Sequence, residues 1–351
     1  MKVVHLLPAL EQGGVETVVC DLVRELGIRD QGSGIRWESV VVSKGGRLVE
    51  KIEAVGGRHI VLDLKSKNPL TYLSRAWKLR RTLRQEKPDL VCVHSRVPAW
   101  LFVWANRGLG LKWISYAHGA NSVSRYSAVM TKGDLIIVPS RFLADYLRAS
   151  YGTPEEKIRV IPNAVDTERF DPDNLDQSFI AEKRREWGIR EGDRVIMAIG
   201  RITPVKGLEA LIREFAATKS DNAKLVIVGG ADKHHLKYLE SLKSLAKDLR
   251  RETGDVVFAG GQEKIPECIA IADEIVSANT AKPETFGLSV IEAYAMNKPV
   301  RAKRFGGVAE VMEAVEKAGK STLREAVISL YAPDLQAKRT LAVYRELANM
   351  V

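Results

Sequence analysis

The chain has 351 residues, 28% charged and 45% hydrophobic, the make-up of a folded protein of about two domains; disorder, collagen and coiled coil are excluded. Three cysteines, Cys20, Cys92 and Cys268, are too scattered for a disulfide framework or a zinc cluster, which fits a reducing compartment. The formal net charge of +10 falls wholly within residues 1–165, where 25 Lys and Arg meet 15 Asp and Glu, against 29 of each in the remainder. The first half therefore calls for an anionic partner: a nucleic acid, an anionic membrane surface or an acidic substrate.

The opening segment, MKVVHLLPAL, starts a strand at once instead of the longer apolar core of a signal peptide. The longest apolar run, VPAWLFVWA at 97–105, is nine residues, well short of the roughly 18 needed to span a bilayer. A cytoplasmic protein is the expectation.

Short β-branched runs then alternate with longer amphipathic stretches, the signature of βαβ units and parallel sheets. The predicted strands are 3–7, 37–42, 59–64, 89–94, 112–117, 134–139 and 157–162. The rhythm breaks at PNAVDTERFDPDN (162–174), which is rich in Pro and Asp. It restarts with strands at 194–200, 224–229, 255–260, 274–278 and 299–303, and from about 306 the pattern is helical. The expected architecture is α/β: two Rossmann-like domains with a cleft between them and ligands at the carboxyl ends of the strands. The boundaries read as 1–165, a connection over 166–190, a second domain over 191–333, and a helix over 334–351 that packs back on the first domain.

Three segments carry candidate chemistry. In EQGGVE (11–16), Gly13 and Gly14 follow the first strand and open a helix, where backbone amides can approach an anion; the same residues also make a tight βα turn. The G-x-G-x-x-G spacing of a dinucleotide site is absent. In GRITPVKG (200–207), Thr203 and Pro204 read as the cap and first residue of a helix, with Lys206 in its first turn and Arg201 at the strand end. Two cations at a helix N-terminus oppose its dipole unless a phosphate sits there; solvated surface charge is the plain alternative. In KPETFGLSVIEAYAMNKPV (282–300), Phe286, Gly287 and Leu288 open a helix with unbonded amides, flanked by Glu284 and Glu292. Carboxylates in a deep cleft need hydrogen-bond donors, and sugar or ribose hydroxyls supply them. Charge compensation at the helix start is the plainer reading. Asp171 and Asp173 satisfy a metal-binding D-x-D, but they sit in DPDN and read as turn residues.

Together, G-G after the first strand, G-R-x4-K-G opening the second domain and E-x-F-G-x-x-x-x-E resemble the retaining glycosyltransferases of family 4. YAHGANS (116–122), VPS (138–140) and VIPNAVD (160–166) match in order. The likeness runs over about residues 1–312 and is greatest to bacterial lipopolysaccharide core enzymes. It implies the two-domain GT-B fold, a nucleotide-diphosphate sugar donor, no required metal and no cofactor. It also implies retention, with the leaving phosphate taking the acceptor's proton. Carried over by position, Arg201 and Lys206 would neutralise the donor diphosphate, and amides around Phe286, Gly287 and Leu288 would add hydrogen bonds. Glu292 would hold the ribose, Glu284 the sugar hydroxyls, Gly13 and Gly14 would close over the phosphates, and His118 would face the donor sugar. The implied catalytic set is Glu284, His118, Arg201 and Lys206.

Residues 65–87 carry eight cations against one acid, with Tyr72, Trp77, Leu79 and Leu83 interleaved. They read as a contact with an anionic membrane surface that brings the enzyme to a lipid-linked or saccharide acceptor, or as a solvated face over a core. A nucleic-acid partner is not expected, because no recognised module accompanies the charge. Arg301, Lys303 and Arg304 are read as contacts for a phosphorylated substrate. Two other functions fit the same scaffold: a nucleotide-sugar epimerase or hydrolase, and a non-catalytic nucleotide-sugar-binding protein.

Overall fold

Every β-branched run named above forms a parallel strand. The computed structural model describes residues 1–349 apart from 12, 34–36, 219–221, 250–255, 280 and 281. The chain divides into two units, unit 1 made of Met1–Ala164 with Pro333–Val351, and unit 2 made of Val165–Ala332.

Unit 1 opens with β1 (Lys2–Leu6), α1 (Gly14–Ser33), β2 (Glu38–Ser43), α2 (Val49–Ala54), β3 (Arg58–Val61) and α3 (Tyr72–Glu86). It continues with β4 (Leu90–Val93), α4 (Arg96–Ala105), β5 (Trp113–Tyr116), β6 (Leu135–Val138), α5 (Arg141–Tyr151) and β7 (Ile158–Val160). The seven strands pair in the order β3-β2-β1-β4-β5-β6-β7. Both faces are covered, so the strands are apolar almost throughout. Val4, Leu6, Val91 and Val93 face α3 and α4, with Leu79, Leu83 and Phe102 filling the space between. Val3, Leu90, Cys92, Ile114 and Tyr116 alternate to the other face and meet Leu22 and Leu26 of α1.

Unit 2 runs α6 (Gln177–Glu186), β8 (Arg194–Ile199), α7 (Leu208–Ala217), β9 (Ala223–Val228), α8 (Leu236–Leu249) and β10 (Val256–Gly260). It is completed by α9 (Ile265–Ile271), β11 (Glu274–Ser277), α10 (Leu288–Ala295), β12 (Val300–Ala302), α11 (Gly307–Lys317) and α12 (Leu323–Tyr331). Its sheet order is β10-β9-β8-β11-β12. Val195, Met197, Val226 and Ile275 face α9 to α12, while Ile196, Ala198, Leu225 and Val276 face α7 and α8. Residues 166–190 contribute Phe170, Trp187 and Ile189 to this core. Arg324 of α12 pins the segment, donating to the carbonyls of Thr167 and Ala295 at 3.0 Å and of Phe170, and pairing with Asp171 at 3.3 Å. Asp171 also accepts the Asp173 amide at 3.2 Å, an Asx turn.

The chain then re-enters unit 1 as α13 (Pro333–Asn349), which lays Leu341, Tyr344 and Leu347 over the α1 side of the seven-stranded sheet. Tyr344 is fully buried, bonding Cys92 Sγ at 3.2 Å and the Tyr116 hydroxyl at 2.9 Å.

Each sheet grows one way from its first strand and then reverses, between β1 and β4 in unit 1 and between β8 and β11 in unit 2. Crossover helices leave such a pair toward opposite faces, and a crevice opens at the carboxyl ends. In unit 2 the opening is visible in the ladder. β11 pairs with β8 only at Glu274↔Ile196 and Ile275↔Met197, two positions short of the end of either strand.

Candidate functional site

The unit 2 crevice is lined by Ile199, Gly200, Arg201, Lys206, Ser277, Ala278 and Asn279. Its floor needs glycine: a Cβ on Gly229 would lie 1.8 Å from the Gly200 carbonyl oxygen, so the loops after β8 and β9 meet backbone to backbone. Lys206 does not sit in the first turn of α7. It ends a separate 3-10 turn, Pro204–Lys206, which Gly207 in the left-handed region (φ 66) divides from the helix, and the Thr203 side chain makes no cap bond.

From that turn the Lys206 stem passes over Gly200, and its ammonium pairs with the Glu284 carboxylate. Asn279, buried at the end of β11, donates from Nδ2 to the same oxygen at 2.9 Å. Glu284 is held from behind as well. Its backbone bridges Gly306, its carbonyl accepts the Gly307 amide at 2.8 Å, and a Cβ on Gly307 would lie 2.2 Å from the Thr285 carbonyl oxygen. The structure thus brings together Arg201, Lys206 and Glu284 and adds Asn279. Arg201 is exposed at the rim.

Gly287 caps α10 with φ 107 and its carbonyl accepts the Val290 amide at 3.0 Å, so the amides ahead of Val290 are the ones with no carbonyl one turn back within the helix. The Phe286 ring is core: it is 4% exposed and meets Tyr331 edge-on at 5.7 Å, so only its backbone is available to a ligand. Leu288 also packs on that core. Glu292 lies half-buried on α10. The late basic cluster is otherwise engaged: Arg301 pairs with Glu214 and Glu274, Arg304 with Glu316, and Lys303 lies over the Phe305 ring.

In unit 1, Gly14 opens α1 and the Gly13 carbonyl accepts both the amide and the hydroxyl of Thr17 at 3.0 Å. His118 follows β5 and is not alone. His94 Nδ1 is 3.1 Å from its Nε2, and His5 Nδ1 is 3.1 Å from His94 Nε2. Burial pushes His5 and His118 down to about 4; His94 is lowered well below its ordinary value by burial and by its two neighbours. Burial likewise raises the Cys92 thiol to about 12.

Sequence reasoning missed Asn279, His5 and His94. His5 lies in an unbroken apolar strand and His94 at the end of another, so their meeting depends on β1 and β4 being neighbours. For Asn279 the available signal was a polar residue directly after the end of a predicted switch-point strand.

Residues 12–169 match the model for Glycosyltransferase Family 4, and residues 179–321 that for Glycosyl transferases group 1. The alpha-monoglucosyldiacylglycerol synthase of Streptococcus pneumoniae is 31% identical over 48% of this chain and 37% of its own length. The lipopolysaccharide 1,2-N-acetylglucosaminetransferase of Salmonella typhimurium is 25% identical over 69% of this chain and 62% of its own. The chain thus spans under two thirds of either relative. Among solved structures, Anabaena HepE in complex with UDP and glucose superposes with a TM-score of 0.81 at 19% identity, over 98% of this chain and 99% of that one, a likeness of fold.

Proposed function

Because the chain belongs to the family 4 and group 1 glycosyltransferases, with two Rossmann-like units of the GT-B class, we propose that it transfers a sugar from a nucleotide-diphosphate donor to a lipid-linked or lipopolysaccharide core saccharide, with retention. The observation that carries this reading is the cluster Arg201, Lys206, Glu284 and Asn279 at the unit 2 switch point.

The chemistry is electrostatic. Negative charge grows on the leaving diphosphate as the glycosidic bond breaks, and fixed cations and amides stabilise that charge more than the ground state. Arg201, Lys206 and the amides of Gly287 and Leu288 at the start of α10 take this role, with no metal required. Glu284 receives sugar hydroxyls, and Glu292 the ribose. Asn279 Oδ1 is buried with no hydrogen-bond partner among the described residues, an acceptor that a ligand hydroxyl would satisfy. Until donor arrives, Glu284 serves as the counter-ion that lets Lys206 stand in a half-buried recess. In unit 1, the Gly13–Gly14 turn is assigned to an anion and His118 to a sugar hydroxyl.

A membrane-surface contact belongs to the same proposal. On α3, Arg75 is buried and bonds the carbonyls of Asp63, Ser66 and Asn68, and Arg80 bonds that of Ala105, so these cations support the fold. Lys67, Lys78, Arg81 and Arg84 remain exposed beside Leu70, Leu73 and Trp77, which are 91%, 61% and 56% exposed. An apolar ridge bordered by cations suits the headgroup region of an anionic bilayer, where the acceptor lipid resides. No described helix is long and apolar enough to cross a membrane.

The test is a panel of nucleotide sugars, scored by thermal shift and then by transfer to lipid-linked saccharide in EDTA. A preferred donor that stabilises the chain, with a product of unchanged anomeric configuration, is expected. Donor consumption without acceptor would favour an epimerase or hydrolase, and binding without turnover a non-catalytic protein.

A further inference from the structure

The buried polar groups that the transferase reading leaves unused are concentrated at the carboxyl ends of β1, β4 and β5. His5 lies inside β1, His94 directly after β4 and His118 two residues after β5. Their rings form a chain with two contacts of 3.1 Å. Tyr116 stacks on the middle ring at 4.5 Å, and its hydroxyl is tied to Tyr344 at 2.9 Å, so His94 is held in place from the α13 side. Of the three, His118 alone is partly exposed.

Two hydrogen bonds among three rings leave little freedom. A neutral imidazole has one N–H and one lone pair, so both bonds must run in the same direction. Directed inward, the chain would leave an N–H on His5 Nε2, which is buried and meets no partner among the described residues. Directed outward, it leaves a lone pair there, and an orphaned buried N–H is the rarer arrangement in folded proteins. The outward chain places the His94 proton on Nδ1, facing His118 Nε2, and hence the His118 proton on Nδ1. Burial disfavours a charge on any of the rings, as the lowered values of all three record.

We propose that His94, backed by His5, is a positioning residue that locks His118 in the neutral Nδ1–H tautomer, so that His118 offers an oxygen a donor and not a base. That the oxygen belongs to a sugar rests on the transferase reading; the tautomer does not.

Long-range 1H–15N correlation on the full chain, labelled at histidine and held at pH 7, reads the tautomer directly, with the His118 signals identified by their loss in His118→Gln. The expected result is a proton on His118 Nδ1. It persists in His94→Asn, whose amide nitrogen replaces Nδ1 as donor, and moves to Nε2 in His94→Phe. A His118 proton on Nε2 in the unsubstituted chain overturns the inference, whatever transfer assays give and whether or not either variant folds. Turnover adds a second readout: His94→Phe lowers kcat roughly tenfold, the effect of one lost hydrogen bond, with donor KM little changed, and His94→Asn recovers most of it. Equal loss in both variants overturns it too. An Nδ1–H signal in a chain inactive with every donor upholds the inference and sinks the transferase reading.

Discussion

The two switch points share a topology and differ in kind. At the end of β8 and β11 the polar groups are ions, Lys206 against Glu284 with Arg201 at the rim; at the end of β1, β4 and β5 they are neutral imidazoles in series. The strand order makes the crevice in both, and the side chains at the strand ends decide its chemistry. In the proposed reading, a diphosphate calls for preorganised cations with a counter-ion to exchange, and a sugar hydroxyl for a fixed neutral dipole.

Removing an ion should do most to break this contrast. Lys206→Met is expected to lower kcat/KM for the nucleotide-sugar donor by about 10²–10³-fold, the usual cost of one preorganised group on a developing charge. A loss under threefold would remove Lys206 from the diphosphate.

Next comes the support beneath the ionic site. Phe286→Ala opens a cavity against Tyr331 and should cost about 3–5 kcal/mol in urea unfolding of unit 2. A cost under ~1 kcal/mol would mean that the ring does not anchor the loop carrying Glu284.

The neutral site should reveal itself through pH. His5 and His118 are held at about 4 in the fold against 6.5 unfolded, and His94 is likewise held well below its ordinary value. Between those values the unfolded chain binds more protons, so stability is full above about pH 6.5 and falls as pH drops toward 4. The slope reaches ~1.4 kcal/mol per pH unit for each histidine. Urea unfolding of the whole chain at pH 7, 6 and 5 checks this, and a flat profile would contradict a buried neutral chain.

The smallest effect on the fold, under ~0.5 kcal/mol, is expected of Trp77→Ser, since the ring is 56% exposed. The same change should reduce flotation with anionic liposomes and leave that with neutral ones unaltered. Equal flotation of both proteins would remove the ridge from the membrane contact.

All the strands and their grouping into two sheets were legible in the sequence, because buried parallel strands are written as short β-branched runs between turn residues. Gly287 and the Lys206–Glu284 region were legible through motif spacing. What escaped was anything set by neighbours distant along the chain. Arg75 and Arg80 look like their exposed companions on α3 until the carbonyls they bond are placed. Arg304 looks like an anion contact until Glu316 closes on it. Lys206 was placed a turn too late because Gly207 sets a break that Thr203 and Pro204 do not announce.

Unit 1 is assembled from two separate stretches of the chain, with unit 2 inserted between Ala164 and Pro333. During synthesis the ribosome releases β1 to β7 long before α13, so the face bearing Cys92 and Tyr116 waits uncovered while all of unit 2 emerges. Unit 2, contiguous in sequence, can close first although it is made second. Released chains that end at residue 332 should therefore hold a protease-resistant second unit behind a labile first one.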